Sequence, residues 1–420
     1  MEGFTGEKIV KEIARNPPFA GVELVISGRD PVKLQKLADE IAPFKVTICR
    51  ISLDDQNGLK DTIALAKVCI NCVGPFRLYG APVVKACVEG RTNYVDICGE
   101  TEVIEQMYAD YNLTAIENNI ALIPACGYDS LPADVGCLHN KLELQKGGCI
   151  PSTVEMFVNM YHGPSGVTVN ATTFISAVLG FDSVKNLRAL RKKTHRKVNT
   201  IGRTLHVYRH PRWDPRVSSY TVPAAVADVP VVKLGQQMIE NHYDYYKNGH
   251  KFGKYTPPSV PAVQFAGYFG LQSIVSVAYV SYLGLLFGAM AYLPFLKNWY
   301  IKYPEFFTLG VFKKSGPSAQ QLSESSFGQT FIGRGYKNLD DFSKPQNYEV
   351  VTSIRGPEMG YVATPICVTA SAYLLISEDR EKIPNGVLTP AVAFSNVFDR
   401  LVKQLNERGV KFSVNSCRDL

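Results

Sequence analysis

The chain lacks the short motifs from which hydrolase and kinase chemistry start: it has no HExxH, no GxSxG and no P-loop. A disulfide framework is missing as well. The ten cysteines (Cys49, Cys69, Cys72, Cys87, Cys98, Cys126, Cys137, Cys149, Cys367 and Cys417) are scattered, mostly through apolar runs. That pattern excludes a stapled secreted scaffold and points to buried thiols in a reducing compartment. Met1 runs into a polar helix rather than an apolar h-region, so no cleavable leader is expected. The largest absence is of charge. From Tyr255 through Leu296, 42 residues pass without one Asp, Glu, Lys, Arg or His.

What is present is enough to fold. With 420 residues and 46% apolar content the chain buries a full core and divides into two domains plus an attachment. The net charge of +7 is concentrated between Ser183 and Arg216, where eleven bases (Lys185, Arg188, Arg191, Lys192, Lys193, Arg196, Lys197, Arg203, Arg209, Arg212 and Arg216) face one acid, Asp214. A solvated loop is the plain reading. Attraction to anionic headgroups or a phosphorylated ligand is the sharper one, and no recognisable reading module supports nucleic acid.

From Val22 to Asp134, short apolar runs alternate with helical stretches. Strands are expected at Val22–Arg29, Phe44–Ile51, Lys67–Gly74, Asn93–Gly99 and Ile120–Gly127. Helices are expected at Pro31–Ala42, Asp54–Ala66, from Ala81, and at Thr101–Asn118. Helices of this length between strands imply right-handed crossovers and a parallel sheet. Beyond Cys149 the rhythm changes: Ser152–Gly163 alternates as an antiparallel strand would, a helix follows at Thr172–Gly180, and the tail offers a strand at Gln346–Gly356 and helices at Tyr361–Ser377 and Pro390–Arg408. The predicted class is therefore α/β, a Rossmann-type parallel sheet with a second mixed α/β domain and a long apolar helical segment. Its parts are 1–135, 136–254 with the basic segment, 255–297 as the apolar segment, 298–345 returning to the second domain, and 346–420 packing on both domains.

The apolar segment exceeds the roughly 20 residues a helix needs to cross a bilayer core. Tyr255 and Tyr268 toward one end, and Tyr292, Trp299, Tyr300 and Tyr303 toward the other, suit interfacial positions, with Lys254 and Lys297 as brackets. Pro257, Pro258, Pro261 and Pro294 bound any helix. The expectation is contact with a membrane or lipid surface; burial in protein, or a homo-oligomer interface, is the alternative.

The candidate chemistry lies at turns. Gly3-Phe4-Thr5-Gly6 precedes a helix from Glu7 to Asn16, and small residues there let backbone amides approach a pyrophosphate. Some twenty residues on stands Ser27-Gly28-Arg29; an acid at that tip favours NAD, whereas an arginine accommodates the 2′-phosphate of NADP. The stretch Asn71, Val73, Gly74, Pro75 makes a tight turn at the carboxyl edge, where open α/β sheets bind ligands. Asp129, in CGYDSLPAD, would serve as general acid or base, or cap the helix after Pro132, the commoner use. Lone His162 and His195 carry no argument. Cys69 and Cys72 fall on opposite faces of a strand, so no metal site is expected.

Together GFTG, SGRD, CINCVGPFRLYGAPVVKACVEG, YVDICGE, GYDSLPADVG, GPEMGYVATP and PNGVLTPAVAFSNVFDRLVKQLNERGVKFSV resemble the saccharopine dehydrogenase-like oxidoreductases, in particular their animal, lipid-droplet-associated branch. The resemblance implies an NADP-binding Rossmann domain, a mixed second domain and an oxidoreductase of unassigned substrate. The implied setting is lipid metabolism at a lipid droplet or membrane facing the cytoplasm, with the mitochondrion as the alternative location. A substrate carboxylate clamp of the lysine-pathway enzymes is not matched, so saccharopine itself does not follow. Members also begin with an apolar strand leading into Gly-Ala-Ser-Gly-Phe-Thr-Gly, whereas here Glu2 stands in place of Ser. The expectation is a shortened product, from an alternative start or an incomplete gene model, that lacks the central strand and binds NADP weakly. The other account is that the two flanking strands close up and pair.

Overall fold

The computed structural model describes residues 3–181, 183–194, 198–224, 226–247, 260–293, 295–339 and 341–420. Glu2, His195, Arg196, Lys197, Lys254, Tyr255, Pro257, Pro258 and Pro294 lie outside them. The chain forms two compact units: Met1–Asp134, Met238–Pro258 and Met359–Val410 make the first, and Val135–Gln237, Ser259–Glu358 and Lys411–Leu420 the second. The tail is thus not one block packing on both domains. Its Tyr348–Pro357 and Lys411–Asp419 strands belong to the second unit's sheet, and the stretch between, from Met359, belongs to the first unit.

In the first unit α1 (Phe4–Arg15) places Ile9, Val10 and Ile13 on one buried face. It is followed by β1 (Leu24–Gly28), α2 (Pro31–Glu40), β2 (Val46–Arg50), α3 (Gln56–Ala64), β3 (Val68–Asn71), α4 (Phe76–Gly90), β4 (Asn93–Asp96), α5 (Thr101–Glu117) and β5 (Ala121–Ile123). Asp30 and Asp55 cap α2 and α3 through their carboxylates, which fixes both helix starts. Helix α4 starts at Phe76, five residues before the expected Ala81, because the amides of its first turn find a carboxylate partner in Glu100.

All strand pairs in this unit are parallel, but they form two sheets. β1 pairs with β2 (Leu24 opposite Val46), and β3, β4, β5 and the short strand Gly386–Val387 pair in that order. Among the described residues β1 and β3 do not pair with each other, so the flanking strands have not closed up. The two strands thus belong to different sheets, and both are only half-buried while β5 is buried throughout. The cores divide the same way, one around Val10, Ile26 and Leu34, the other around Val84, Tyr94 and Leu122.

The second unit is built on a seven-stranded sheet. Its strands in chain order are β6 (Cys149–Tyr161), β7 (Arg212–Asp214), β8 (Ser219–Pro223), β9 (Gln264–Leu271), β10 (Ser326–Lys337), β11 (Tyr348–Pro357) and β12 (Lys411–Asp419). Across the sheet they run β12-β11-β10-β6-β9-β8-β7. The central β6 is antiparallel to β10, as its pattern suggests, yet parallel to β9. Gly136, on α6 (Leu131–Lys146), lets that helix approach the sheet: a Cβ there would sit 2.3 Å from the Phe331 ring.

Here the sequence reading of the apolar run needs correcting. Tyr255–Leu296 is not one helical segment. Gln264–Leu271 is a strand flanked by β6 and β8, and its apolar side chains are largely buried. A strand covered on both faces has no reason to alternate, so its pattern is that of a continuous apolar run. Only α10 (Ile274–Tyr292) is a long helix, capped by Ser273. Further helices are α7 (Ala171–Gly180), α8 (Ser183–Thr194), α9 (Asp228–Lys247), α11 (Leu296–Lys302) and α12 (Pro304–Phe307), of which α7 and α11 pack against α10. The basic segment divides too. Arg216 is bound by Glu155 and Asp214, Arg212 sits 3.6 Å from Asp214 and over the Tyr208 ring, and Arg203 donates to the Ser343 carbonyl. Those three hold the fold together.

Candidate functional site

The carboxyl ends of β3, β4 and β5 carry a connected set of polar groups. Asn71, at the end of β3, donates to the Tyr94 hydroxyl (3.0 Å) and accepts from the Val73 amide (3.0 Å), so it shapes the turn and has both ends engaged inside the protein. Tyr94 donates to Asp96 (2.7 Å), whose other oxygen accepts the amides of Cys98 (2.9 Å) and Ala125 (2.8 Å). Burial pushes the Asp96 carboxyl up to about 6 despite these bonds. Glu100 accepts from the amides of Phe76 (2.7 Å) and Arg77 (3.1 Å), anchoring the N-terminus of α4 just after Gly74 and Pro75. Arg77 in turn reaches Glu102 at 2.7 Å.

Asp129 enters from the loop after β5. Among the described residues its carboxylate caps no helix, which overturns the commoner use expected for it; α6 starts at Leu131, with amides bonded to backbone carbonyls. It lies instead beside Gly99, where a Cβ would be 3.4 Å from its oxygen, and desolvation pushes its carboxyl up to about 6. The neighbouring Tyr128 amide donates to the Thr364 hydroxyl (3.0 Å), which donates to the Met359 carbonyl (2.9 Å). These residues bound a π-helical turn, Met359–Ala363, and Tyr361 in that turn meets Phe4 edge-on at 4.7 Å.

Helix α1 thus begins next to the same edge. It starts at Phe4, so Phe4, Thr5 and Gly6 form its first turn rather than a preceding loop. Gly3 caps it without a side-chain hydrogen bond, and a Cβ on Gly3 would meet nothing within 4 Å. Among the described residues nothing covers this helix N-terminus, and its small residues fit a phosphate-bearing ligand. Ser27 and Gly28 end β1 of the separate two-stranded sheet, tied to α1 through the Val10–Ile26 cluster, and Arg29 follows directly. Arg29 is exposed, while Asp30 beside it spends its carboxylate on the amides of Val32 and Lys33. An arginine is the residue type at this tip that suits a 2′-phosphate.

Sequence reasoning found the turns but missed Tyr94, Asp96, Glu100 and Tyr361. The signal for the first three was available, since NYVDICGE puts two acids four residues apart at a strand's carboxyl end. Nothing local marks Tyr361, whose ring partner Phe4 lies more than 350 positions away in the chain. Among the described residues no three or more His, Cys, Asp or Glu side chains gather as a metal site would require.

The parallel strands, the open helix N-terminus and the polar carboxyl edge define a Rossmann-type dehydrogenase architecture. Comparison with known proteins agrees: residues 1–123 match the family model "Saccharopine dehydrogenase NADP binding domain". A mouse saccharopine dehydrogenase-like oxidoreductase is 34% identical over all of this chain and 96% of its own length. A Caenorhabditis elegans relative, "Lipid droplet localized protein", is 32% identical over all of this chain and 97% of its own. The fold is shared with yeast saccharopine dehydrogenase (L-Glu forming) in its apo form, at a TM-score of 0.53 and 11% identity over 99% of this chain and 98% of that one. The chain belongs to the saccharopine dehydrogenase-like oxidoreductase family.

Proposed function

We propose that this chain is an NADP-dependent oxidoreductase working at the cytoplasmic face of a lipid droplet or membrane, with the mitochondrion as the alternative location. The observation that carries the reading is the open N-terminus of α1 beside the edge that holds Asp129, an acid free of capping duty. When bound, the nicotinamide supplies or takes the hydride. The amides of Phe4, Thr5 and Gly6 would hold pyrophosphate, and Arg29 would hold the 2′-phosphate. Asn71, Val73, Gly74 and Pro75 shape the turn against which the ligand rests, with Glu100 keeping that turn in place. Asp129 moves the proton that accompanies hydride transfer, since a carboxyl near 6 gives and takes protons close to neutral pH.

Affinity for NADP is weak in this reading, on the order of 0.1 mM or worse. The reason is the separation of β1 from β3, so that Arg29 and Gly74 follow strands of two different sheets. The same separation favours a second reading, a lipid-surface scaffold that keeps the fold without catalysis. Fluorescence titration with NADPH decides. Saturation in the submillimolar to millimolar range, weakened by Arg29→Ala, supports the proposal; micromolar affinity contradicts the weak-binding clause. No binding at several millimolar would leave only the scaffold. The lipid setting draws support from the charge-free surface helix and from the name of the worm relative.

A further inference from the structure

The second unit carries an apolar face that its own core does not cover. Along α10, Ile274, Ala278, Ser281, Leu285, Gly288 and Tyr292 recur every three or four residues and all are exposed, Ile274 at 70% and Leu285 at 74%. That spacing is one stripe of a helix, here turned to water and free of any charge. The stripe continues beyond the helix in Phe295 (57% exposed), Trp299 (56%) and Phe306 (77%). An uncovered apolar surface of this extent marks a docking site.

The opposite side of α10 is fastened along its length. Tyr279 donates to the Thr308 carbonyl and Tyr282 to the Phe307 carbonyl, both at 3.1 Å. Leu286, Phe287 and Met290 pack with Phe174 and Val178 of α7 and Tyr300 of α11. A helix held along its length to a folded domain cannot cross a bilayer by itself. It can lie in the interface with its free stripe immersed.

The charges around this face identify the occupant. Helix α8 begins three residues after α7 ends, and Arg188, Lys192 and Lys193 on it are exposed. Lys302 closes α11 beside the exposed Tyr303. Among the described residues of these elements, the acid Glu305 accepts from the Lys314 amide. Exposed aromatics beside unopposed bases suit the headgroup layer of an anionic phospholipid surface and not a second copy of a net basic chain.

Resting on the lipid-surface part of the proposed function, we infer that the second unit is a monotopic anchor: α10 lies in the plane of an anionic phospholipid surface with Ile274, Leu285, Trp299 and Phe306 immersed and α8 over the headgroups. The test uses the full chain with Trp213→Phe, which leaves Trp299 as the only tryptophan. It is mixed with vesicles of phosphatidylcholine, with or without about one-third phosphatidylserine, carrying brominated acyl chains. The expected result is flotation about tenfold tighter on the anionic vesicles at low salt, with shallow bromines quenching Trp299 more than deep ones. Lys192→Glu with Lys193→Glu should reduce the anionic preference to within about twofold. Ile274→Ser with Leu285→Ser, checked for unchanged circular dichroism, should lose binding to both vesicle types. Flotation without quenching, equal binding to both lipids, deepest quenching at the bilayer centre, or binding unaffected by the serine pair would overturn the anchor while leaving a lipid-surface role. Failure to float with any vesicle or with triolein-cored droplets would remove both.

Discussion

Two of the charge-free helices among the described residues have opposite fates. Thr364–Ile376, in the first unit, is buried along nearly its whole length, whereas α10, in the second, turns a full stripe to solvent. Apolar composition does not tell the two fates apart. Met359–Ile376, with mean hydropathy 1.6, is the described stretch long and apolar enough to span, yet 72% of it is buried inside the protein. Its apolar character is used by neighbours: Phe19 meets Tyr373 edge-on at 5.6 Å, and Arg408 donates to the Thr369 hydroxyl at 2.9 Å. Composition sets what a helix can bury, and the surrounding fold decides whether protein or lipid supplies the cover.

The sharpest way to break this comparison is to put a cation in each helix. Leu374→Arg leaves an unpaired charge in a fully buried position and should cost more than about 4 kcal/mol, enough to prevent recovery of folded protein. Leu285→Arg should shift chemical denaturation by no more than about 0.5 kcal/mol while abolishing flotation. Truncation gives the same contrast at lower amplitude. Leu374→Ala should destabilise by about 2 to 4 kcal/mol and Leu285→Ala by less than about 0.5, read from urea midpoints.

A smaller effect concerns the edge of the first unit's sheet. Asp96 and Asp129 both have carboxyls raised to about 6 by burial, so the folded state holds their protons more tightly than the unfolded chain. Their contribution therefore favours folding at low pH and is lost as pH rises from about 4 to about 6. Denaturation midpoints should show a falling component across that window, flattened in Asp129→Asn. A flat profile in the unaltered protein would contradict the burial of these acids.

Much of the first unit was legible because parallel strands and crossover helices write strong local patterns: β1 to β5 fall within the expected runs, and the turns at Gly74 and Asp129 lie on one edge. The apolar run was misread because a strand covered on both faces and a surface helix share one composition, and only pairing with β6 and β8 distinguishes Gln264–Leu271 from α10. Tyr361 and the final strand Lys411–Asp419 were missed for a related reason, since each is placed by partners remote in the chain. The bases of the 183–216 segment looked equivalent in sequence, but Arg216 is fixed by Glu155 and Asp214 while Lys192 and Lys193 stay exposed.

Hydrogen exchange of the whole protein with and without anionic vesicles tests the contrast in one sample. The account predicts slower exchange on vesicles across Ile274–Tyr292 and Leu296–Phe307, with Thr364–Ile376 unchanged. Equal exchange in α10 under both conditions, in a sample shown to be vesicle-bound, would contradict it.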